Sequence, residues 1–321
     1  MTDLTRYGIF KARLPLPFKL DHVNCYAMKG GDGWTIIDAG LNYEATRRAW
    51  PEFMKEHGFT PGDVTGIYVT HYHPDHYGAA GWLQELCGAP VYMNATEASL
   101  SARMWREENV ELVAGMFLEN GMPAEIVPTI LADMAVMRSR TRPQPRITPL
   151  YGGEVVRLGS RDYQVLLTPG HSDGHICFYD EESGLLLSGD HLLPHISSNI
   201  SLWPMSHPDP LDNFLTSLAE NHRLRVSMAL PAHGECFTNV QERVAALEAH
   251  HQERLELMRR TASRGASVYQ VSREVFGDGL SVHEVRFAMT ETLAHLAYLE
   301  RRGQLAKSRV DGVWTYTGTE R

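Results

Sequence analysis

The chain has 321 residues, of which 43% are hydrophobic and 21% charged, and its formal net charge is −9 at pH 7. This length predicts one large domain with a small appendage, and the composition is ordinary for a globular protein. The negative charge argues against a general nucleic-acid binder, and no run approaches the roughly eighteen uninterrupted apolar residues of a membrane span. Residues 1–6 lack the basic and then apolar layout of a signal peptide, and the four cysteines, Cys25, Cys87, Cys177 and Cys236, are scattered. We therefore expect reduced cysteines and a cytoplasmic location.

The first part of the chain is typical of a strand meander followed by a helix. Strands are predicted at residues 7–14, 23–28 and 34–38. The third of them ends at Asp38. Residues 42–57 then predict a helix that is interrupted at Pro51, and it leads into a buried strand at 66–70.

Four residues of the kind that bind metal ions follow this buried strand directly: His71, His73, Asp75 and His76. Pro74 is predicted to stop any helix here, so these residues are expected on a tight loop at a strand end, where their side chains can turn toward one point. Neutral imidazole and carboxylate suit zinc, iron or manganese. The alternative is a solvent-exposed loop, since the chain has 16 His in all.

The segment 94–146 is predicted to be a helical insertion. It follows a predicted helix at 77–86 and a short strand at 89–93, and it is rich in Met, Ala, Glu and Leu. We expect two or three helices that cover the cleft, and their flexible Met side chains would adapt to irregular apolar ligands. The alternative is that these methionines only pack the insertion onto the core.

The second half predicts a further set of strands, with ligand-type residues at the ends of several. The strands are predicted at 153–158, 163–167, 175–179 and 184–188, with another apolar run at 228–232. His171, Asp190 and His233 follow three of these strands, and open αβ folds commonly gather their ligands at the carboxyl ends of strands. Asp209 and Pro210 are expected to begin a helix that runs to about residue 222. His195 lies close to Asp190 in sequence and is a candidate for binding a substrate carboxylate or phosphate.

Together these motifs resemble the metallo-β-lactamase superfamily. The family's His-x-His-x-Asp-His motif is matched by His71, His73, Asp75 and His76, and its later ligands by His171, Asp190 and His233. The resemblance covers about residues 7–235 and implies an α/β fold, the four-layer αββα sandwich, that binds two divalent metal ions. It also implies a lid at the insertion 94–146, because many family members carry one at this position. Zinc suits such ligands best, with iron or manganese as alternatives.

The resemblance also implies a role for each residue. The first metal would be held by His71, His73 and His171, the second by Asp75, His76 and His233, and Asp190 would bridge both. Asp38 resembles the family's Asp-x-Gly, whose carboxylate supports the metal loop by hydrogen bonds; a simple turn aspartate is the alternative. Two such ions about 3.5–4 Å apart share a water and lower its pKa to about 7, and Asp75 would orient the resulting hydroxide.

From residue 239 the composition changes, and we expect a catalytic domain at 1–238 and a smaller helical domain at 239–321. Helices are predicted at 240–262, 267–275 and 281–302, followed by a hairpin of strands 305–309 and 313–317 around Asp311-Gly312. This succession resembles a winged helix. Residues 264–321 contain eight Lys and Arg against seven Asp and Glu, which is no electrostatic footprint for phosphate contacts. We expect the domain to wall the active site or to mediate contacts in a homodimer.

The favoured function is hydrolysis of an acyl bond, a thioester or a lactone, in a small and partly apolar substrate, similar to the glyoxalase II-like members of the superfamily. A basic C-terminal glutathione-binding segment like theirs is not recognisable, which argues against glutathione itself. The alternative is a phosphodiesterase or ribonuclease. Less favoured are a di-iron oxygen or nitric-oxide reductase, whose members typically have Glu at the position of His73, and a non-catalytic binding protein.

Overall fold

A computed structural model describes residues 3–104, 106 and 109–319 of the chain, and two β-sheets form its centre. The first sheet has six strands in sequence order: β1 (Ile9–Pro15), β2 (His22–Lys29), β3 (Trp34–Ile37), β4 (Val64–Val69), β5 (Val91–Asn94) and β6 (Ile147–Leu150). The first three strands are antiparallel, and β3 to β6 run parallel to one another. The predicted strands of this half are confirmed, whereas β6 was missed because its alternation is weak and two of its four residues are exposed.

The second sheet has five strands, in the spatial order β11-β10-β9-β8-β7. They are β7 (Val155–Leu158), β8 (Arg161–Leu167), β9 (Ile176–Asp180), β10 (Leu185–Gly189) and β11 (Met228–Pro231). Only the pair of β10 and β11 is parallel among the described pairs of this sheet. As a result, β8, β10 and β11 run in the same direction, and the loops that follow them lie at the same edge of the sheet.

One buried apolar cluster lies between the two sheets. Tyr26, Ile37 and Tyr68 of the first sheet belong to the same cluster as Phe178 and Leu187 of the second. The rings of Tyr68 and Phe178 meet edge to face with centroids 6.0 Å apart. Each such side chain stabilises the fold by about 1.5–3 kcal/mol through burial. This cluster holds the sheets face to face, which is the centre of the predicted αββα sandwich.

Helices cover the outer faces of both sheets. The first sheet carries α1 (Glu44–Glu56), α2 (Pro74–Tyr77) and α3 (Ala80–Cys87), and the second carries α7 (Pro210–Asn221). Phe214 and Leu218 of α7 share a buried cluster with Leu186 of β10. The side chain of Asp209 accepts a hydrogen bond from the amide of Asp212, which confirms the predicted start of α7. The four-layer sandwich is thus present.

Two predictions about prolines were wrong. Pro51 does not interrupt α1, because buried Trp50 and Met54 pack that helix onto the sheet and compensate for the one missing hydrogen bond. Pro74 does not exclude a helix from the metal loop but begins α2, since the first residue of a helix needs no N–H partner. Asp75 and His76 therefore lie on a helical turn. The helix predicted at 77–86 is split into α2 and α3.

The insertion contains three helices, as predicted: α4 (Ala95–Met104), α5 (Val110–Glu119) and α6 (Val127–Ser139). Met104, Met122 and Met137 are buried, while Met116 and Met134 are half-buried against the same cluster. Trp105, another apolar residue of this segment, lies outside the described residues. Most methionines of the insertion therefore pack its helices, and the mobility of a lid stays a prediction.

The C-terminal segment consists of α8 (Val240–Ala262), β12 (Arg264–Ser267), α9 (Val268–Phe276), α10 (Val282–Arg301), β13 (Leu305–Val310) and β14 (Val313–Gly318). The three helices and the hairpin were predicted; β12, which pairs with β14, was not. The likeness to a winged helix and the domain boundaries at 1–238 and 239–321 stay predictions. In the part of the chain that the structure describes, none of the helices combines the length and apolar character needed to cross a membrane.

Candidate metal centre

The seven predicted ligands converge at one edge of the two sheets. They come from the loop and helical turn after β4 and from the loops after β8, β10 and β11: His71, His73, Asp75, His76, His171, Asp190 and His233. Most of them are buried or nearly so, and their metal-binding atoms face one another. The convergence follows from the topology, because each of these strands delivers its next residues to the same edge.

Three imidazole nitrogens form the first group. His71 Nε2 lies 3.0 Å from His73 Nδ1, which in turn lies 2.9 Å from His171 Nε2, and the remaining side of the triangle is 3.2 Å. In tetrahedral zinc sites with Zn–N bonds of 2.0–2.1 Å, ligand nitrogens lie about 3.3 Å apart. The triangle therefore has nearly the size of one face of such a site.

The second group combines a carboxylate with two imidazoles. Asp75 Oδ2 lies 3.6 Å from His76 Nε2 and 3.3 Å from His233 Nε2. This carboxylate and these two nitrogens are within 4.8 Å of one another, as a shared cation would require. The group is separate from the first one but adjoins it through His76, whose ring centroid is 4.1 Å from that of His71.

Asp190 stands between the two groups, with one oxygen toward each. Its Oδ2 lies 3.5 Å from His171 Nε2, while its Oδ1 lies 3.5 Å from both His76 Nε2 and His233 Nε2. Within the described chain, Asp190 Oδ1 and His76 Nε2 are buried polar atoms with no hydrogen-bond partner. Such atoms are costly unless something else satisfies them. A pair of divalent cations fits this donor set.

Lowered pKa values keep the imidazoles of the first group and the carboxylate of Asp190 in their ligand forms. Burial, followed by the charges of His76 and His73, holds the pKa of His71 well below its ordinary value. Burial likewise lowers the pKa of His171. Both imidazoles are therefore neutral, with a lone pair available for a cation. Burial alone would raise the pKa of Asp190, but the charges of His233 and His76 hold it well below its ordinary value.

Asp38 supports the loop after β4, as the resemblance implied. Its carboxylate accepts hydrogen bonds from the Thr70 amide at 2.8 Å and the Thr70 hydroxyl at 3.0 Å, and it lies 2.9 Å from His76 Nδ1. Its backbone φ is +60°, an uncommon conformation for a residue other than glycine. These contacts direct His76 Nε2 toward the site, because a ring held at Nδ1 presents its other nitrogen.

Three more of the imidazoles are oriented through their Nδ1 atoms in the same way. His71 Nδ1 donates to the Thr70 hydroxyl at 3.0 Å, His171 Nδ1 to the Asn199 carbonyl at 2.8 Å, and His233 Nδ1 to the His22 carbonyl at 2.9 Å. In each ring Nε2 is then the free acceptor that faces the cluster.

Two supporting residues escaped the sequence analysis. Glu97 of α4 is buried, and its carboxylate accepts hydrogen bonds from the amides of Tyr72 and Gly174 at 2.8 and 2.6 Å, so it joins two of the ligand loops. His175 is buried, and its Nε2 accepts a hydrogen bond from the Asp190 amide at 3.2 Å. No sequence pattern around Glu97 distinguishes it from any other helical glutamate, so its role in joining the ligand loops could not be predicted.

His195 is not part of the cluster. Its side chain is exposed and makes no hydrogen bond or ion pair with any residue that the structure describes. The loop after Asp190 turns it outward, while Leu192 and Leu193 are buried. A contact between His195 and substrate therefore finds no support in this geometry.

A family model described as the metallo-beta-lactamase superfamily matches residues 19–233, and one described as the metallo-beta-lactamase-like C-terminal domain matches residues 255–319. The chain belongs to the metallo-β-lactamase superfamily, and it is a hydrolase of that superfamily with a histidine and aspartate cluster able to bind metal.

Among particular relatives, a metallo-beta-lactamase family protein from Thermus thermophilus has a solved structure that is 34% identical, with a TM-score of 0.87 over 97% of this chain and 99% of that one. The probable metallo-hydrolase YqjP of Bacillus subtilis is 29% identical over 92% of this chain and 93% of its own. The acyl-coenzyme A thioesterase MBLAC2 of Gallus gallus is 29% identical over 53% of this chain and 57% of its own.

Proposed function

We propose that the protein is a dinuclear metal-dependent hydrolase that cleaves acyl bonds, thioesters in particular. In this assignment one ion is held by His71, His73 and His171, the other by Asp75, His76 and His233, and both by Asp190. The observation that carries it is the orientation of Asp190, whose two oxygens face the two groups at 3.5 Å. A nitrogen-rich set with carboxylates and no cysteine suits zinc as the native metal.

Bound divalent ions would supply Lewis acidity, lowering the pKa of a shared water to about 7 and polarising the substrate carbonyl. The residues around them orient the reaction. Asp75 directs Oδ2 toward His76 and His233. Its other oxygen would accept a hydrogen bond from the attacking water. Burial alone would raise the pKa of Asp75, but the charge of His76 and the hydrogen bond from His233 lower it, so the carboxylate is ionised. No side-chain nucleophile is required.

Three observations favour an acyl substrate over a phosphodiester. The relative from Gallus gallus is named an acyl-coenzyme A thioesterase. The insertion is apolar, and it is attached to the site because Glu97 of α4 bonds the amides of Tyr72 and Gly174. A net charge of −9 disfavours a polyanionic substrate such as RNA.

A panel of substrates tests this function. Zinc-loaded and manganese-loaded enzyme would be assayed with S-butyryl-N-acetylcysteamine, γ-nonalactone and bis-p-nitrophenyl phosphate. We expect the highest kcat/KM for the thioester, with lower values for the lactone and phosphodiester. The same preparation after chelation and dialysis should be inactive on all three and should recover when metal is restored. Rapid cleavage of the phosphodiester without acyl hydrolysis would establish the phosphodiesterase alternative instead.

A further inference from the structure

Arg286 of α10 is a buried cation whose hydrogen-bonding capacity is only partly used within the described chain. Its side chain is nearly inaccessible, at 6% exposure, and its Nε has no hydrogen-bond partner there. Nη2 lies 3.2 Å from His283 Nδ1. The nearest carboxylate, that of Asp133 in α6, lies 3.8 Å from Nη2 and is also held by His283 Nδ1 at 3.0 Å. A buried guanidinium normally has its planar fork paired closely, because an unpaired buried charge is costly.

Other arginines of this protein are paired more closely even though they are more exposed. Arg302, at the end of the same helix, lies 2.9 Å from Asp209 and also contacts Asp212. Arg161 lies 3.2 Å from Asp180. The Arg286 guanidinium lies 4.5 Å from the centroid of the Phe287 ring, but its ion pair with Asp133 is longer than those of the other two arginines. Nε is left free to donate to another oxyanion.

Arg286 lies beside the candidate metal centre. The next residue, Phe287, accepts a hydrogen bond through its carbonyl from the Asn199 side chain at 3.3 Å, and the Asn199 carbonyl accepts from His171 Nδ1 at 2.8 Å. α10 therefore contacts the loop whose Asn199 carbonyl orients His171, and Arg286 lies one residue before that contact.

Three separate segments build the surroundings of this arginine. The ring of Phe18, from the connection between β1 and β2, stacks on that of His283 with centroids 4.8 Å apart. Asp133 comes from the insertion, and His283 comes from the first turn of α10. The insertion and the C-terminal segment thus meet at Arg286.

We propose that Arg286 binds an anionic group of the substrate, a carboxylate or phosphate oxyanion, and so determines specificity for charged thioesters. This inference rests on the proposed function. The anion would receive a hydrogen bond from Nε, while His283 and Asp133 hold Nη2. The group would be carried either on the acyl chain or on the leaving thiol, and the geometry requires the same oxyanion chemistry in both cases.

Matched substrates test the proposal in holoenzyme of known metal content. One pair is S-adipoyl-N-acetylcysteamine and its methyl ester, which differ by an acyl-chain carboxylate. The other pair is butyryl-coenzyme A and S-butyryl-N-acetylcysteamine, which differ by phosphates on the thiol. In wild-type enzyme we expect the anionic member of one pair to have the lower KM. Equal KM values within both pairs would overturn the proposal.

Arg286→Gln should raise the KM of that anionic substrate by about 10- to 100-fold, which is the usual loss of a hydrogen bond to a charged group, and leave its neutral partner unchanged. Arg286→Lys should recover part of the loss, because it keeps the charge without the fork. Arg301→Gln, at the exposed end of the same helix, is the matched control and should change nothing. If Arg286→Gln does not fold, the double variant Asp133→Asn/Arg286→Gln, which removes both charges, replaces it. An equal loss on charged and neutral substrates would indicate a packing role and refute the proposal.

A binding measurement separates this proposal from the proposed function. If wild-type enzyme hydrolyses no thioester, the function fails, and inorganic phosphate then serves as the probe. Phosphate should raise the Tm of the wild-type protein more than that of Arg286→Gln at equal metal content. The same increase in both proteins would refute the anion site as well.

Discussion

Asp190→Asn is expected to remove most of the bound metal and nearly all activity. The substitution keeps the size of the side chain but replaces the one carboxylate that faces both groups, at 3.5 Å from His171 on one side and from His76 and His233 on the other. We expect the metal content to fall by at least one ion per chain. Several kcal/mol of transition-state stabilisation would be lost, and since each ~1.4 kcal/mol is tenfold, kcat/KM should fall at least about 1,000-fold.

Asp162→Asn is the control for this variant. Asp162 is exposed and pairs with Arg157 on the surface at 2.9 Å, an interaction worth about 0–1 kcal/mol. This variant should keep its metal and its rate. Metal analysis and steady-state kinetics on both proteins decide the matter. If Asp190→Asn retained full metal content and full activity, the bridging assignment would be wrong.

Gly170→Ala is expected to have the second large effect, on stability and metal binding together. Gly170 precedes His171 and has φ +142°, and a Cβ there would lie 2.4 Å from Cβ and 2.5 Å from Cα of Phe214 in α7. A helix backbone cannot yield to such a contact without shifting the loop that carries His171. Backbone strain and overpacking each cost about 1–3 kcal/mol, so the free energy of unfolding should fall by about 2–6 kcal/mol.

Gly153→Ala distinguishes the cost of backbone strain from the cost of overpacking. Gly153 also has a positive φ, +88°, but a Cβ there would meet no atom within 4 Å. That variant should show only the backbone cost and bind metal normally. Chemical denaturation and metal titration of both variants provide the comparison. Equal destabilisation by the two substitutions would mean that α7 does not require glycine at position 170.

The candidate ligands could be predicted from sequence because each follows an apolar strand, and strands end where a sheet has an edge. His71, His171, Asp190 and His233 each occupy that position, and the resemblance to the family supplied their pairing. The elements with strong periodicity were also predictable, such as α8, whose bounds were predicted as they occur. These features are local in the sequence, or they follow from one topological rule.

What escaped prediction depends on contacts between distant parts of the chain. Glu97 bonds the amides of residues that lie 25 and 77 positions away, and Arg286 meets Asp133 across about half the chain. Pro51 was predicted to break a helix because its local effect is unfavourable, yet packing of the neighbouring Trp50 overrides that effect. Intrinsic helix propensity does not include such compensation, because the compensation arises only when the layers pack together.

The C-terminal segment illustrates the same point. Glu291 of α10 accepts a hydrogen bond from the Asn199 side chain at 2.8 Å, and Thr290 accepts one from the Leu202 amide at 3.2 Å. The loop so held presents the carbonyl that orients His171. From sequence this segment could only be interpreted as an appendage that walls the site or forms a dimer. Its contacts also connect α10 to the loop that orients His171.

The central claim is that two cations bind at the edge where the two sheets meet, and anomalous diffraction from crystals of the metal-replete protein tests it most directly. The account predicts two peaks per chain, one enclosed by His71, His73 and His171 and the other by Asp75, His76 and His233, with Asp190 between them. Elemental analysis of the same protein should give close to two ions per chain. A single peak, or none under metal-replete conditions, would contradict the account.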